Sequence, residues 1–451
     1  MADLLFIFLA VFLVLFLAYY FIKNPQIGIF LLIFSLPFER IPSYDVSFFG
    51  NITVRPSQLI GLALFLALIY RLIQRKQKLI IEKNLFLYLY LIAALLSFTK
   101  ALDLTRSALV FAFTAFVIIV YFLVVNFVTQ KRHLEKIEKA LFWSTLMVCL
   151  FGIYQFIADT LKVPLWLTGL KPIYVSSIFG FPRIQSVALE PLYFASFLLI
   201  PFALFTVLAL KKEGFSKRYF LIIFLSLFSI VLTLSRGGFA AILAILAVLF
   251  IFLFKEWITR KGLYIFLTMV LAIILAVSSI SISTYITNKS AKLGVENISK
   301  QSINISSGES VEVRAKTRNH AINLFLANPV LGVGIGNFGP NIAGYPSSAP
   351  EEGWLVVNNE PLEILAETGI LGFLSILFFL GILFFKGFYD FYKSKDLYLK
   401  IWLLGLLAVF LAFVVQYQTF STLYITHIWV VIGLLAATQN IFQKNKGIKN
   451  A

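Results

Sequence analysis

Apolar runs long enough to cross a lipid bilayer recur from the first residues of this chain to nearly the last. About 20 helical residues span a hydrocarbon core. Helix is expected because lipid offers no hydrogen-bond partners to backbone N–H and C=O groups. The alternating strands of a β-barrel are absent from the pattern. The predicted spans lie near residues 4–22, 25–38, 57–72, 84–98, 107–128, 140–159, 187–209, 219–234, 237–254, 263–283, 365–385, 397–416 and 422–441.

This pattern predicts an all-α, polytopic membrane protein of about 12–13 transmembrane helices, forming a single membrane domain over residues 1–451. The first two predicted spans are separated only by Lys23 and its neighbours, so they form either two passes or one helical hairpin, and the side of the N-terminus stays open. The first run, from Leu4 to Ile22, lacks a basic n-region and an A-x-A cleavage site. It is therefore predicted to be a membrane anchor rather than a removable signal peptide.

Charge is scarce and unevenly placed. Hydrophobic residues make up 60% of the chain and charged residues 13%, too few to coat a soluble domain. The formal net charge of +17 comes from lysines and arginines gathered in every second connection, which predicts that these connections are cytoplasmic. No basic patch interleaves with aromatic residues, so nucleic-acid binding is not expected, and anionic membrane lipids are the expected partners of these charges. The basic connections contain Arg71 to Lys78, Lys131 to Lys139, Lys211 to Arg218, Lys255 to Lys261, Lys386 to Lys395 and Lys444 to Lys449.

The alternate connections are then outside the cytoplasm, and one of them is much longer than the rest. Residues 284–364 are predicted to be a long extracytoplasmic loop containing short helices, and a loop of this length is usually functional or disordered. Its first part, Lys289 to Ser310, is polar, whereas Val311 to Leu326 has the pattern of an amphipathic helix that Asn328-Pro329 ends. The other outside connections are 39–56, 99–106, 160–186, 235–238 and 417–421.

Metal and cofactor chemistry has no support in the sequence. The single cysteine, Cys149, lies within an apolar run, and the three histidines are far apart and lack ligand spacing. A glycine-rich run from Gly332 to Gly339 superficially matches a dinucleotide-binding motif, but no strand precedes it. We expect instead a tight turn that packs the long loop closely on the membrane domain.

Arginines in the outside connections are the candidate binding residues. Four arginines lie in connections predicted to be outside the cytoplasm, where membrane topology does not require positive charge: Arg183, Arg236, Arg314 and Arg318. A guanidinium group binds phosphate oxygens with two hydrogen bonds, so these residues are candidates for an anionic substrate headgroup. Arg314 and Arg318 are four residues apart on one predicted helix, so both can face one anion. The alternatives are a cap or a lipid contact for Arg236 and a solvated helix face for Arg314 and Arg318.

Carboxylates at the outer ends of two predicted spans are the candidate proton acceptors. Glu190 precedes an apolar span, and Glu360 and Glu363 lie where the long loop returns to the membrane. Capping of a helix N-terminus is the competing role for each. Glu367 lies deeper, and we expect it to have a partner such as an arginine.

The chain resembles the O-antigen ligase and O-antigen polymerase superfamily of bacterial envelope enzymes. The resemblance is carried by Leu-Ser-Arg-Gly-Gly (234–238) and by Arg314 placed before Asn-Pro-Val-Leu-Gly-Val-Gly-Ile-Gly-Asn-Phe (328–338). It continues in Asn-Asn-Glu-Pro-Leu-Glu-Ile-Leu-Ala-Glu-Thr-Gly-Ile-Leu-Gly (358–372). These motifs define a core region over residues 220–385.

The resemblance implies a metal-independent, inverting glycosyltransferase without cofactors, a multi-pass protein of the bacterial cytoplasmic (inner) membrane whose active face is extracytoplasmic. It implies transfer of a glycan from undecaprenyl pyrophosphate to a sugar hydroxyl, on a growing glycan or on lipid A-core. It also implies that Arg236 and Arg314 bind the donor pyrophosphate. A transporter or flippase of the same lipids is the alternative. The unusual charges lie at the outer face rather than at the bilayer midplane, and this favours an enzyme. A structural scaffold is the third possibility, in which the loop arginines are dispensable.

One position departs from the family pattern. Family ligases usually carry a histidine where this chain has Asn358. An asparagine cannot accept a proton at neutral pH, so Glu190, Glu360 or His320 is left as the candidate base. Because superfamily polymerases often lack that histidine, the departure favours a polymerase slightly over a lipid A-core ligase.

Overall fold

The computed structural model describes residues 2–46, 52–81, 83–211, 216–288, 309–343, 354–445 and 447. Each predicted span overlaps one main helix, although the ends differ by several residues. The helices are α1 (Ala2–Lys23), α2 (Pro25–Ser35), α3 (Pro56–Ile73), α4 (Leu85–Ser97), α5 (Leu104–Phe127), α6 (Lys131–Thr160), α7 (Leu165–Thr168), α8 (Ser176–Phe179), α9 (Pro191–Lys211), α10 (Lys217–Thr233), α11 (Arg236–Phe252), α12 (Phe254–Trp257), α13 (Arg260–Asn288), α14 (Glu309–Ala327), α15 (Phe338–Ile342), α16 (Glu360–Lys393), α17 (Leu397–Gln416) and α18 (Thr426–Asn445). Short 3₁₀ turns cover Phe98–Lys100 and Pro172–Tyr174.

The prediction of an all-α, polytopic membrane protein is confirmed. Within the described residues, eight helices are long and apolar enough to cross a membrane. Helix α9 lies at the centre of the bundle. In its most apolar stretch of 18 residues, 89% of the residues are buried, whereas only 17% are buried in the corresponding stretch of α1. Helix α1 is therefore peripheral, with most of its apolar surface left for lipid. The strands of the described residues are β1 (Tyr44–Val46) and β2 (Ile52–Val54), a small antiparallel hairpin in the connection 39–56.

The first two predicted spans are separate antiparallel helices. The Tyr44 hydroxyl donates to Asp3 Oδ1 at 3.0 Å, which places the start of α1 beside the β-hairpin. At the other end of α1, Arg71 Nη1 donates to the carbonyl of Ile22 at 2.8 Å. Helix α2 then returns towards the hairpin. Its 11 residues rise only about 16 Å. It therefore covers about half of the hydrocarbon thickness by itself.

The basic connections gather at one end of the bundle, here called the basic end. Gln77 Nε2 donates to the carbonyl of Asn126 at 2.9 Å, and the Tyr219 hydroxyl donates to Glu138 at 2.9 Å. Ion pairs join Lys131 to Asp396 and Lys211 to Glu256 across further connections. The alternation of charge along the sequence therefore matches a physical separation of the two ends.

The remaining connections meet at the opposite end, here called the outer end. The backbone N–H of Arg40 donates to the carbonyl of Val187 at 2.9 Å, and that of Glu360 donates to Tyr417 at 3.0 Å. The amphipathic helix expected over residues 311–326 is present as α14, and it ends just before Asn328-Pro329. Nearly all of the polar segment from Lys289 to Ser310 falls outside the described residues.

The glycine-rich run forms the predicted close-packed turn. The N–H groups of Val333 and Gly334 donate to the carbonyls of Ala366 and Glu367, both at 2.9 Å. Gly332 has a φ of 68°, and a Cβ there would lie 2.4 Å from the backbone of Glu367. The long loop is therefore held against α16 by backbone contacts that a side chain would prevent.

Glu367 fixes this turn with its carboxylate. Oε2 accepts the N–H of Gly336 at 2.7 Å, and Oε1 accepts the N–H of Phe338 at 3.1 Å. Glu367 thus has the partners that were expected, and its direct contacts are backbone N–H groups rather than an arginine. Arg106 instead donates to the carbonyl of Gly336. The role of Glu367 is to hold the loop, because both of its oxygens are occupied by that loop.

Candidate active site

Four of the predicted site residues line one pocket at the outer end. Arg183, Arg236, Arg314 and Glu190 surround a cavity of about 390 Å³, here called the arginine pocket. Three stretches of chain that are distant in sequence supply the arginines: the loop before α9, the start of α11 and the helix α14. The remaining lining residues are Tyr174, Pro191, Leu192, Leu234, Ser235, Gly237 and Thr419.

Arg236 is placed by a very short turn between two helices. Leu234 takes a left-handed conformation, with φ 48° and ψ 37°, and ends α10. Ser235 caps α11, its hydroxyl accepting the N–H of Gly238 at 3.2 Å, so Arg236 is the first residue of that helix. A Cβ at Gly237 would lie 2.4 Å from Thr419 Oγ1. The pocket therefore includes a helix N-terminus, which favours an anion.

Arg183 is fixed by the loop that precedes α9. Its Nε donates to the carbonyl of Thr233 at 3.2 Å, and its guanidinium lies 5.7 Å from the centre of the Tyr174 ring. Burial lowers the pKa of the Arg183 guanidinium, and the charge of Arg236 lowers it further, while Tyr174 and Glu190 raise it. The guanidinium stays protonated, because arginine does not lose its proton in proteins.

Arg314 reaches the pocket from the long loop. Helix α14 is held by Thr317, whose hydroxyl lies 3.2 Å from the carbonyl of Val357, and by Arg318, whose Nη2 donates to the carbonyl of Gln418 at 2.6 Å. Burial lowers the pKa of Arg314, and the charges of Arg236 and Arg318 lower it further. The charge of Arg236 thus lowers the pKa of both Arg183 and Arg314, so the three positive charges form one electrostatic cluster.

The charge of the pocket fits a dianion. Three guanidinium groups and one carboxylate leave two net positive charges among the lining residues. Like charges held together repel one another, and an anion bound between them removes this repulsion. Each charge-assisted hydrogen bond to such an anion contributes about 1.5–3 kcal/mol.

Glu190 is the carboxylate of the arginine pocket. It directly precedes α9, and its carbonyl accepts the N–H of Phe194 at 3.1 Å, as an N-cap carbonyl does. Its side chain is exposed and lines the cavity. Glu190 therefore combines a position at a helix start with direct access to a bound ligand.

The other four candidates lie outside the residues that line the pocket. Arg318 binds Gln418, so of the two arginines expected to face one anion only Arg314 lines the cavity. His320 is exposed on α14. Asn358 has a φ of 56°, and its side-chain nitrogen lies 3.4 Å from the carbonyl of Val356. Glu360 is 5% exposed and accepts the N–H of Thr422.

Two lining residues were not singled out from the sequence. Tyr174 packs against the Arg183 guanidinium, and Thr419 touches the start of α11. Both lie in connections that the charge pattern placed outside, and this was the only sequence signal for them. Within the described part of the chain, no group of three or more His, Cys, Asp or Glu residues is arranged to hold a metal ion.

The middle of the chain matches a known family. Residues 221–377 match the family model described as O-antigen ligase. This region of the chain is therefore similar to O-antigen ligases. The resemblance to the O-antigen ligase and polymerase superfamily is thus confirmed for these residues, and it indicates a glycosyltransferase-like membrane enzyme. No curated protein matches the chain.

The residues that match the O-antigen ligase family contribute only part of the pocket. Arg236 and Arg314 lie inside the matched residues, whereas Tyr174, Arg183 and Glu190 precede them and Thr419 follows them. Segments outside the matched residues therefore complete the arginine pocket.

Proposed function

We propose that this protein transfers a glycan from a polyprenyl pyrophosphate, of the undecaprenyl type, to a sugar hydroxyl at the outer face of the bacterial cytoplasmic membrane. The observation that carries the proposal is the convergence of Arg183, Arg236 and Arg314 with Glu190 in one cavity. A pyrophosphate diester carries two negative charges, which the net charge of the pocket balances. The cavity lies at the end of an apolar bundle, where the polyprenyl tail stays in lipid while the headgroup reaches the arginines.

The reaction is a single displacement at the anomeric carbon. The acceptor hydroxyl oxygen forms the new glycosidic bond, the bond between the anomeric carbon and the pyrophosphate oxygen breaks, and the configuration inverts. The pyrophosphate leaves with the electron pair of that bond, and the three arginines stabilise its growing charge. Fixed guanidinium groups supply this stabilisation, so we propose that the transfer needs neither a metal nor a cofactor.

Glu190 is the proposed acceptor of the hydroxyl proton. It is the candidate carboxylate that lines the cavity, and a base must lie within hydrogen-bond reach of the proton it removes. Asn358 cannot act as a base. Glu360 is occupied by the N–H of Thr422, and His320 does not line the cavity, so neither is favoured for this role.

The deciding experiment is incubation of the purified protein with lipid-linked repeat units, with and without a lipid A-core acceptor. The departure at Asn358 favours a repeat-unit polymerase, so ladders of glycan are expected without lipid A-core. Products formed only with lipid A-core would instead identify a ligase. Movement of lipid-linked glycan across vesicles without a new glycosidic bond would overturn the proposal and support a flippase.

A further inference from the structure

The connection between α6 and α9 carries an apolar surface that does not line the arginine pocket. Six of its residues are 40–80% exposed, and the most exposed is Trp166. They are Leu161, Leu165, Trp166, Leu167, Ile173 and Ile178, here called the apolar patch. The charge pattern placed this connection outside the cytoplasm, and a group of apolar side chains this exposed marks a contact with a membrane or a protein.

The chain turns back along α6 directly after that helix ends. The N–H of Val163 donates to the carbonyl of Ala158 at 2.9 Å, and Lys162 between them has a φ of 61°. This left-handed residue ends the helix and reverses the chain. The Tyr154 hydroxyl then donates to the carbonyl of Leu167 at 3.4 Å. Helix α7 is therefore level with the last turns of the predicted span 140–159 and does not extend beyond it.

The apolar patch continues the exposed face of α6. Exposed side chains recur along this helix at spacings of three and four residues, which places them on one face. They are Trp143, Met147, Leu150, Tyr154, Ile157 and Leu161. Because α6 is long and apolar enough to span the membrane, this face is in contact with lipid. The patch therefore borders a lipid-facing surface.

Helix α13 extends this surface on the other side of α6. Its Ser283 hydroxyl lies 2.7 Å from the hydroxyl of Thr160, the last residue of α6. Exposed apolar side chains surround Ser283 on α13, namely Ile282, Tyr285 and Ile286. The outer ends of two membrane-spanning helices and the patch thus form one continuous apolar surface.

The backbone of the segment that carries the patch is hydrogen-bonded within the protein. The carbonyl of Gly169 accepts a hydrogen bond from Arg40 Nη2, and its N–H donates to the carbonyl of Leu165 at 2.9 Å. Asp159 Oδ2 accepts the N–H of Ser176 at 2.8 Å, which fixes the chain at α8. Irregular backbone is tolerated at membrane depth only where its polar groups find such partners. These contacts fit the segment for contact with lipid.

The charges of this connection suit the surface of a bilayer. Residues 160–186 contain no aspartate or glutamate, and their basic residues are Lys162, Lys171 and Arg183. Arg183 lines the arginine pocket, so the two lysines are the charges nearest the patch in sequence. A lysine at a membrane surface extends its ammonium group towards the lipid phosphates. Tryptophan is enriched at the same boundary between membrane and water.

We propose that the apolar patch is inserted into the outer leaflet of the membrane, with Trp166 among the upper acyl chains and Lys162 and Lys171 at the phosphates. The partner of this surface is the lipid bilayer itself. The same segment continues to Tyr174, whose carbonyl accepts the N–H of Arg183 at 2.9 Å, and both residues line the arginine pocket. Insertion therefore holds that pocket at the level where a lipid-linked donor presents its pyrophosphate, and this consequence alone rests on the proposed function.

The test measures the depth of residue 166 in proteoliposomes of the full-length protein. Trp166→Cys is labelled with an environment-sensitive fluorophore, and Cys149 does not compete because it is fully buried. Phosphatidylcholine brominated in its upper acyl chains quenches the fluorophore from the lipid, and iodide quenches it from water. The control is labelled Lys316→Cys, an exposed position on the polar helix α14 at the outer end. Mixed orientation of the protein affects both positions equally.

We expect the brominated lipid to quench the label at residue 166 and not the label at residue 316. The iodide quenching constant at residue 166 should be at least about threefold lower than at residue 316, because inserted apolar groups lie about 5–10 Å into the headgroup boundary. Equal iodide quenching at the two positions would overturn the proposal by showing a water-exposed loop. Protection from both quenchers would also overturn it, by showing that protein covers the patch.

A second variant keeps the tryptophan in place. Ile173→Cys labels another exposed position of the patch, so the same quenching pattern is expected there if Trp166→Cys fails to fold. Neither measurement requires glycan transfer. Failure of the proposed enzymatic function would therefore leave the quenching result intact, and failure of the quenching result would leave the transfer assay intact.

Discussion

Three arginines from distant parts of the chain form one positively charged cluster, and each is expected to bind the leaving group. Replacing Arg236 or Arg314 with alanine removes a charge-assisted contact of about 1.5–3 kcal/mol, so the rate of glycan transfer should fall at least about tenfold. The measurement is the initial rate of product formation with lipid-linked repeat units.

The matched control for this prediction is Lys316→Ala. Lys316 lies on α14 with Arg314, is exposed, and does not line the arginine pocket. Its loss should leave transfer unchanged within about twofold, since surface charges of this kind contribute little. Normal turnover by both arginine variants would refute the assignment of the donor site.

The two carboxylates Glu190 and Glu360 should give different phenotypes. Glu190→Gln keeps the size of the side chain but removes the proton acceptor, so turnover should fall about a hundredfold while donor binding is retained. Glu360→Ala should instead lower stability by about 1–3 kcal/mol, because the N–H of Thr422 loses its partner. Transfer rates, donor affinity and thermal unfolding of the detergent-solubilised protein separate these effects. An unchanged rate for Glu190→Gln would show that Glu190 is not the proton acceptor.

The sequence identified the pocket arginines by their location but could not distinguish them from their neighbours. Arg314 and Arg318 carry the same side chain at helical spacing, yet the second donates to the carbonyl of Gln418. Glu190 and Glu360 both precede apolar spans, yet only the first lines the cavity. These differences depend on which segments pack together across 62 to 100 residues of sequence, and local pattern does not contain that information.

At the scale of elements, the turn at Gly332 to Gly339 depends on a break in α16. Gly369 has φ 64° and ψ −167°, and a Cβ there would lie 2.3 Å from the carbonyl oxygen of Val330. Gly369→Ala should destabilise the protein by about 1–3 kcal/mol from the backbone conformation alone, and the collision should add to this. In contrast, Gly381→Ala in the same helix should be neutral or stabilising by about 0.5–1 kcal/mol, because nothing lies within 4 Å of the added carbon.

Thermal unfolding of the two glycine variants in detergent measures this contrast. A Gly369→Ala protein as stable as the Gly381→Ala protein would contradict the role assigned to the break. The Gly381→Ala variant also controls for the general effect of adding a methyl group to this helix.

Glu367 is expected to dock the long loop on the membrane domain. Glu367→Ala removes two hydrogen bonds from a carboxylate to backbone N–H groups, each contributing about 1.5–3 kcal/mol. The variant should unfold at lower temperature, and proteases should cleave near residues 328–343 more rapidly. Glu135→Ala, which changes an exposed carboxylate on α6, is the control and should behave as wild type. Unchanged protease resistance in Glu367→Ala would refute the docking role.

Helices were easier to predict than their ends or the small sheet. Long apolar runs identified the helices because, in lipid, the backbone N–H and C=O groups of each run must form hydrogen bonds with one another. The predicted span 140–159 lies within α6, which begins at Lys131, since helical hydrogen bonding continues beyond the apolar residues. Strands β1 and β2 have three residues each, too few to show an alternating pattern.

At the scale of the whole molecule, alternation of charge along the chain predicted which connections share an end. The connections without basic clusters build the arginine pocket, and those with basic clusters meet at the basic end. The order of helices around the bundle was not accessible from sequence, because every span has a similar apolar composition. Long-range pairs such as Asn84 with Phe379 set that order.

This arrangement leads to a prediction of orientation, which the proposed function requires. Cys149 is fully buried, so the wild-type protein should not react with a membrane-impermeant maleimide. Leu326→Cys introduces a thiol at a position that is 68% exposed on α14, at the outer end. We expect it to be labelled in spheroplasts with an intact cytoplasmic membrane. Lys395→Cys, at the basic end, should be labelled only after that membrane is permeabilised, because lysine-rich connections are retained in the cytoplasm. The opposite pattern would place the arginine pocket in the cytoplasm, and a glycan transferase acting at the outer face would then be excluded.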